Sequence, residues 1–361
     1  MKNAVIACME KKNSSYNHSL PMLAEMKKFI AWSRNGKRRM PNGAKIQAGT
    51  IVNYEAVYAV LQKFQTFKGK TLQIPIVQKE SQREHKRLIR YWNQLKYNYS
   101  SYLYRCGYKD VYAGLQLKVI RVFLNWMKKK RGYNIKGFEG LFTLPTEQLP
   151  VIALTTEHLQ QFLNPSFRET LPEQMQDTLD LFLFGCATGL RYSDLEALTA
   201  RNIQRLNSGT YLVTTSQKTR TEIRIKLPEF ARNVLKEHKT PGRLLPYPGK
   251  SVFNNRLKLL GEIAGWTQVV GKYRMQNGKR VEVKTKKGKP YRFCDLLSSH
   301  VMRKTTITTL LMAGVPEHAV RRISGHAPNS KEFYRYVLYS QQFLDGYTDK
   351  VFDGLAGVKC E

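Results

Sequence analysis

The sequence contains few acidic residues and no long apolar segment. Its 361 residues include 60 Lys and Arg but only 27 Asp and Glu, which gives a formal net charge of +33. A compact protein with this excess repels itself, so the composition predicts a polyanionic partner, of which nucleic acid is the obvious kind. We find no run of about 18 apolar residues and no basic amphipathic anchor, and therefore expect no association with a membrane.

Cysteine is also scarce, and its five positions follow no ligand or disulfide pattern. The residues are scattered and include no C-x-x-C pair, at Cys8, Cys106, Cys186, Cys294 and Cys360. This usage is typical of reduced thiols in an intracellular protein, and it argues against a disulfide framework or a zinc site. The apolar run near the N-terminus ends at Met9-Glu10-Lys11, which is too short for a signal peptide. We therefore expect a cytoplasmic protein, associated with the nucleoid when it is bound to DNA.

Residues 1–135 are predicted to form an all-helical, basic domain, with a short N-terminal arm before its first helix. Apolar positions recur at helical spacing from residue 20 to 30, from 51 to 64, and two or three more times between 87 and 130. The last of these helices is expected to end at Lys128–Arg131, where cations and the following Gly132 suit a helix C-terminus. Residues 136–150 contain two glycines and two prolines without clear periodicity, and we interpret them as a linker.

Residues 151–361 are predicted to form a second domain of mixed structure. Helices are expected near 155–163, over the apolar segment Met175–Phe184, from Ser298 to about Gly314 and from Pro316 to Gly325. Alternating apolar residues predict a hairpin over 210–227. A long basic excursion covers 272–292, and an amphipathic tail helix is expected to follow Ser340. The fold class is thus mainly α with a small β-hairpin or sheet, an α+β protein.

Six polar residues in this second domain suggest a reaction at a phosphodiester. They are Arg191, Lys218, His300, Arg303, His326 and Tyr336. Arginine forks bind non-bridging phosphate oxygens, imidazole and lysine can move protons, and a tyrosine hydroxyl can become the covalently bound nucleophile. Each residue alone has an ordinary interpretation, for example an exposed basic helix face for His300 and Arg303. Their order and spacing together make the chemical interpretation the stronger one.

The same residues lie in motifs that resemble those of the tyrosine recombinase, or phage-type integrase, family. Thr188-Gly189-Leu190-Arg191-Tyr192-Ser193-Asp194-Leu195 matches T-G-x-R-x-[ST]-[ED]-L, and the hairpin segment Thr215–Thr219 resembles its T-x-K-T. His300–Arg303 matches H-x-x-R, and Ile323–His326 matches [LI]-x-G-H. The resemblance covers about 150–361 closely, and residues 1–135 resemble the family's core-site DNA-binding domain mainly in composition.

The tyrosine is where the sequence departs from the family pattern. The family's tyrosine commonly falls about nine residues after the G-H histidine, and here that position is Arg335, between Tyr334 and Tyr336. Matching Phe333-x-x-Tyr336-Val337 to the F-x-K-Y-[IV] form favours Tyr336, whereas a Y-x-H-V form favours Tyr334. We prefer Tyr336 as the nucleophile and keep Tyr334 as the alternative.

The resemblance implies a recombinase of mobile elements that cuts and rejoins double-stranded DNA without metal, ATP or another cofactor. It also implies a homotetramer on DNA, a monomer or weak oligomer when free, and a tail stripe of Phe343, Leu344, Tyr347, Val351, Phe352 and Leu355 docked in a neighbouring protomer. Accessory proteins that bend DNA are further partners to consider. Two other functions stay open at this point: a type IB topoisomerase, and a DNA-binding accessory protein with a silent site.

The charge leads to a direct prediction for binding to duplex DNA. Lysines and arginines that neutralise phosphates release condensed counterions, so affinity should fall steeply as salt rises. If about six phosphates are contacted, a plot of log K against log salt concentration should have a slope of roughly −5. Fluorescence anisotropy over a salt series measures this slope, and a value near zero would remove the nucleic-acid interpretation.

Overall fold

The computed structural model describes residues 19–77, 81–143, 151–217, 221–238, 242–326, 330–339 and Phe352. These residues form two compact units: one holds those before residue 149 together with Tyr273–Glu282, and the other holds those of 149–272 and from 283 onward. The predicted fold class, mainly α with small antiparallel sheets, is confirmed. Within these described ranges no helix is both long and apolar enough to cross a membrane.

The described N-terminal part of the first unit contains four long helices and a short strand pair. The helices are α1 (Met22–Arg34), α2 (Ala48–Lys68), α3 (Gln82–Arg105) and α4 (Asp110–Lys130), and the strands are β1 (Ser19–Pro21) and β2 (Gln73–Pro75), which pair antiparallel. The helices expected from the apolar periodicity are therefore present. The end of α4 is also as expected, because the lysines of its last turn face the negative end of the helix dipole.

The core of the first unit is unusually aromatic and extends beyond the predicted domain end. Trp92 and Phe123 are fully buried in it, and Phe138 and Phe142 are each only 1% exposed. Trp92 contacts both of these phenylalanine rings edge to face. The prediction that the linker begins at residue 136 is therefore wrong, because burying two aromatic side chains outweighs the local signal of nearby glycines. Residues 144–150 lie outside the described part of the chain.

The second unit has a buried helix at its centre. Its elements in chain order are α5 (Thr156–Leu163), α6 (Pro165–Glu169), α7 (Glu173–Thr188), α8 (Tyr192–Glu196), β3 (Ile203–Leu206), β4 (Gly209–Thr215), β5 (Glu222–Lys226), α9 (Glu229–Glu237), α10 (Lys250–Ile263), α11 (Ser299–Met312), α12 (Glu317–Ser324) and α13 (Lys331–Tyr339). Phe182 and Phe184 of α7 are fully buried, and α7 packs against α10 and α11. The predicted hairpin is confirmed as β4 and β5, and β3 adds a third strand that the sequence did not indicate.

Helix α7 ends at Thr188 and is closed by Gly189. This glycine has φ +62°, a left-handed conformation that closes the helix, and its N–H donates to the carbonyl of Gly185 at 2.8 Å. A Cβ added at Gly189 would lie 3.1 Å from Cγ2 of Thr306 on α11. The chain therefore needs glycine here both for its conformation and for the close approach of α11.

The basic excursion 272–292 contains a second hairpin that groups with the first unit, although the sequence analysis placed it in the second domain. Its strands are β6 (Tyr273–Gln276) and β7 (Lys279–Glu282), joined by Asn277-Gly278, both with positive φ. The carboxylate of Asp110, the first residue of α4, accepts the N–H of Asn277 at 2.7 Å. The Asn-Gly turn is a strong local hairpin signal that the charge of this segment obscured.

A buried carboxylate on α7 organises a charged network in the second unit. Asp180 is 3% exposed and accepts hydrogen bonds from Nη2 of Arg168 at 2.9 Å and from Nε2 of His238 at 3.0 Å. Burial alone would raise the pKa of Asp180, but the bonds from His238 and Arg168 outweigh it and hold this pKa below its usual value. In turn, the hydrogen bond to Asp180 raises the pKa of His238.

The network predicts a pH-dependent contribution to stability from His238. Because its pKa is raised on folding, the contribution is complete below the unfolded-state pKa of about 6.5 and is lost as pH rises through the folded-state pKa. Substituting His238→Gln should therefore reduce the free energy of unfolding more at about pH 5.5 than at about pH 8. Urea unfolding at the two pH values measures the difference.

His158 provides the matched control for this experiment. It is stacked on Phe293, and desolvation lowers the pKa of its ring. The pH dependence of its contribution to stability is therefore opposite to that of His238. Wild type should lose stability relative to His158→Gln as pH falls below about 6.5. Equal effects of His238→Gln at both pH values would contradict the assignment of His238 as a stabilising cation.

Candidate active site

Arg191 lies three residues beyond the end of α7, directly before α8. Its side chain is 18% exposed, and Nη1 donates to Oγ of Ser216 at 3.0 Å. The carboxylate of Asp194, one turn further along, lies 3.7 Å away. The left-handed turn at Gly189 thus places the guanidinium of Arg191 beside the start of the turn between β4 and β5.

Arg303 projects from the middle of α11 and is only 5% exposed. Its Nη1 donates to the carbonyl oxygen of Gly189 at 3.0 Å, while its Nη2 lies 3.1 Å from both ring nitrogens of His326. Arg303 therefore joins the end of α7, which precedes Arg191, to the residue that follows α12. Arg191, Arg303 and His326 are all among the candidate site residues that the motifs predicted.

His326 follows the left-handed Gly325, which ends α12. Gly325 has φ +61°, which strains any other residue, and an added Cβ would lie 2.9 Å from Cδ1 of Ile223 on β5. Nδ1 of His326 lies 2.8 Å from Oγ of Ser324, and this hydroxyl also donates to the carbonyl of Val320 at 2.7 Å. The ring is thus oriented by contacts on two sides, from Ser324 and from Arg303.

His300 lies in the first turn of α11, one turn before Arg303, and is exposed. Partial desolvation of its ring, followed by repulsion from Lys250, Lys304, Arg303 and Arg191, lowers the pKa of His300. A neutral imidazole is therefore favoured at neutral pH, one that can accept or donate a hydrogen bond without adding charge.

Tyr336, one of the two candidate tyrosines, lies beside His326. Its ring centroid is 6.0 Å from that of His326, and its side chain packs against the cluster that contains Phe333 and Val320. Tyr334 is 51% exposed, and the guanidinium of Arg321 lies over its ring at 4.9 Å. The two phenols therefore have different surroundings, although both belong to α13.

The structure brings Arg191, His300, Arg303, His326 and Tyr336 to one region of the second unit. Lys218 lies outside the described residues, but the ends of its turn are defined. The N–H of Ser216 donates to the carbonyl of Thr221 at 2.9 Å, so the turn begins beside Arg191. Ser216, Asp194 and Ser324 also contact this group and were not among the predicted site residues. All three lie within the motif segments, but the chemical argument from the sequence did not single them out.

Comparison with known proteins agrees with these features. Residues 153–341 match the model of the phage integrase family. No curated protein sequence matches the chain.

Several solved structures share the fold at low sequence identity. The Tn1549 transposon integrase in complex with transposon right end DNA superposes with a TM-score of 0.56 and 14% identity, over 88% of this chain and 94% of that one. For a lambda integrase dimer bound to a COC′ core site, the TM-score is 0.58 and the identity 13%, covering 93% and 85% of the two chains. For the XerH site-specific recombinase bound to difH substrate, the TM-score is 0.54 and the sequence identity 13%. The match covers 93% of this chain and 86% of that one.

Proposed function

Because the chain belongs to the phage integrase family, we propose that it is a site-specific DNA recombinase that cuts and rejoins strands through a 3′-phosphotyrosyl intermediate. One observation carries this proposal. Arg191 closely follows the end of α7, and Arg303 donates to the carbonyl of Gly189 at that same end. Arg303 also contacts His326, whose ring neighbours that of Tyr336. Two guanidiniums, an imidazole and a phenol in one place suit nucleophilic attack on a phosphodiester.

The proposed reaction assigns a task to each side chain. The hydroxyl oxygen of Tyr336 forms a bond to phosphorus, and its proton passes to an imidazole of the site. The bond to the 5′ oxygen breaks in the same step, and Lys218 gives the departing oxygen a proton. Arg191 and Arg303, with His300 and His326, donate to the non-bridging oxygens, whose charge increases in the transition state. Attack by the 5′ hydroxyl of a partner strand reverses the step and frees the phenol.

This scheme requires neither ATP nor a metal ion. The energy of the broken phosphodiester bond is retained in the phosphotyrosyl bond, so no other energy source is needed for rejoining. In other enzymes a divalent cation stabilises the charge on the phosphate. Here the arginines and Lys218 would do so. Accordingly, excess chelator should leave cleavage unchanged.

The surroundings of the two phenols support Tyr336 as the nucleophile. Tyr336 is partly buried beside His326, which could hold a phosphate next to it, whereas Tyr334 is exposed under Arg321. The two positions are separated by about 200° around the helix axis, so both rings cannot face the same phosphate.

The tyrosine assignment predicts opposite outcomes for two matched variants. Tyr336→Phe keeps the ring and its packing, so it should fold and bind DNA but form no covalent adduct. Tyr334→Phe should form the adduct as wild type does. Incubation with a nicked suicide substrate followed by a denaturing gel detects the protein–DNA species.

The reverse pattern, an adduct from Tyr336→Phe and none from Tyr334→Phe, would assign the nucleophile to Tyr334. Adducts from both variants would contradict the assignment of Tyr336 and leave the nucleophile unidentified. Arg191→Ala and Arg303→Ala serve as a second control: both should bind DNA yet cleave about 10²–10³ times more slowly, because each loses a contact that strengthens in the transition state.

The net charge of +33 supports double-stranded DNA as the partner. The solved relatives described above are themselves complexes with DNA. A type IB topoisomerase shares the chemistry but would relax supercoiled plasmid of random sequence, which the recombinase should not do. A silent accessory protein would bind DNA and form no adduct. DNA-bending proteins are proposed as additional partners for the complete reaction.

The tail is proposed to join protomers in a homotetramer on DNA, through the apolar stripe from Phe343 to Leu355. Except for Phe352, which is exposed, this stripe lies outside the described residues. Removing residues 341–361 should leave binding to a single site intact and abolish recombination, which gel shift and a two-site assay measure separately. Full recombination by the shortened chain would reject the proposed docking.

A further inference from the structure

Ser216 is a fully buried serine that lies between a cation and a carboxylate of the site. Nη1 of Arg191 donates to Oγ of Ser216 at 3.0 Å, and this hydroxyl donates to Oδ2 of Asp194 at 3.4 Å. The directions are fixed by chemistry, because a guanidinium can only donate and a carboxylate can only accept. The hydroxyl therefore relays a hydrogen bond from Arg191 to Asp194.

The backbone around Ser216 is held equally firmly. Its N–H donates to the carbonyl of Thr221 at 2.9 Å, and the next N–H, of Gln217, donates to Oδ1 of Asp194 at 3.1 Å. Asp194 is itself only 2% exposed. One buried carboxylate thus fixes both the hydroxyl and the backbone at the start of the turn.

We propose that Ser216 is a positioning residue that holds the guanidinium of Arg191 where it can bind the scissile phosphate, an inference that rests on the proposed recombinase function. The distance between Arg191 and Asp194 is 3.7 Å, too long for a hydrogen bond. Without the serine hydroxyl, Arg191 would lose one hydrogen-bond acceptor and Asp194 would lose one hydrogen-bond donor. They could satisfy one another by a turn of the guanidinium toward Asp194, which would draw it away from the phosphate.

The first test is the rate of adduct formation by Ser216→Ala on an ordinary suicide substrate. Loss of a group that orients another typically costs about 10–100-fold in activity, so we expect a decrease near the lower end of this range. The decrease should be smaller than that caused by Arg191→Ala. Affinity for DNA and the thermal unfolding midpoint should change little, because the variant retains the chain fold.

Two modified substrates then identify the group through which Ser216 acts. A methylphosphonate at the scissile position is neutral and needs less stabilisation by Arg191, so wild type and Ser216→Ala should cleave it at similar rates. A 5′-bridging phosphorothiolate has a thiolate leaving group that needs no proton from Lys218. On this substrate the defect of Ser216→Ala should persist.

Each outcome decides the proposal. Equal defects of Ser216→Ala on all three substrates would show a general structural role. A defect relieved only on the phosphorothiolate substrate would show that Ser216 acts through Lys218. Either result would overturn the proposed action through Arg191. If wild type forms no adduct on any substrate, the proposed function and this inference both fail. If wild type forms adducts and Ser216→Ala matches it throughout, only this inference fails.

Two further variants test whether the loss of any buried hydroxyl, or misfolding of Ser216→Ala, explains the result. Thr178→Val removes another buried hydroxyl of the second unit, one that donates to the carbonyl of Gln174 at 2.9 Å, and should cleave all three substrates like wild type. Ser216→Cys keeps the side-chain volume close to that of serine but supplies a weak acceptor. If Ser216→Ala does not fold, Ser216→Cys should show the same substrate dependence, and its absence there would overturn the proposal.

Discussion

The buried guanidinium of Arg303 is the interaction on which the arrangement of the site depends. Removing a cation from water is costly unless hydrogen bonds replace its hydration, and Arg303 is 5% exposed. Its bond to the carbonyl of Gly189 uses an acceptor at the C-terminus of α7, the negative end of the helix dipole. Its contact with His326 ties the end of α12 to the same point. The three segments that carry Arg191, Arg303 and His326 are therefore held together by one buried charge.

Much of the second unit could be predicted from its sequence because local signals and site motifs coincide. Gly189 and Gly325 end helices in left-handed conformations, and each directly precedes a segment with a candidate catalytic residue. Substitution of either glycine would also introduce a close contact, with Thr306 or with Ile223. The motifs thus reflect backbone requirements as well as chemistry, because two of them contain the glycine that ends a helix beside a candidate side chain.

Other features depend on contacts that no short segment reveals. Ser216 contacts Arg191 across 25 positions of sequence, and although it lies in the hairpin motif, neither spacing nor periodicity indicates that contact. Strand β3 is a short edge strand with three exposed residues, so it lacks an alternating apolar pattern. The β6–β7 hairpin belongs with the first unit through contacts such as that of Asp110 with Asn277. Long-range packing, which sequence periodicity does not record, determined each of these features.

The central claim is that the phenol of Tyr336 becomes covalently bound to DNA, and peptide mapping of the trapped adduct tests it most directly. Trypsin cleaves after Arg335, so Tyr334 and Tyr336 fall in different peptides, Glu332–Arg335 and Tyr336–Lys350. After nuclease digestion, the account predicts a nucleotide-modified peptide that contains Tyr336, with fragment ions that place the added mass on that residue. An added mass on Tyr334, or on Tyr339 or Tyr347 of the second peptide, would contradict it.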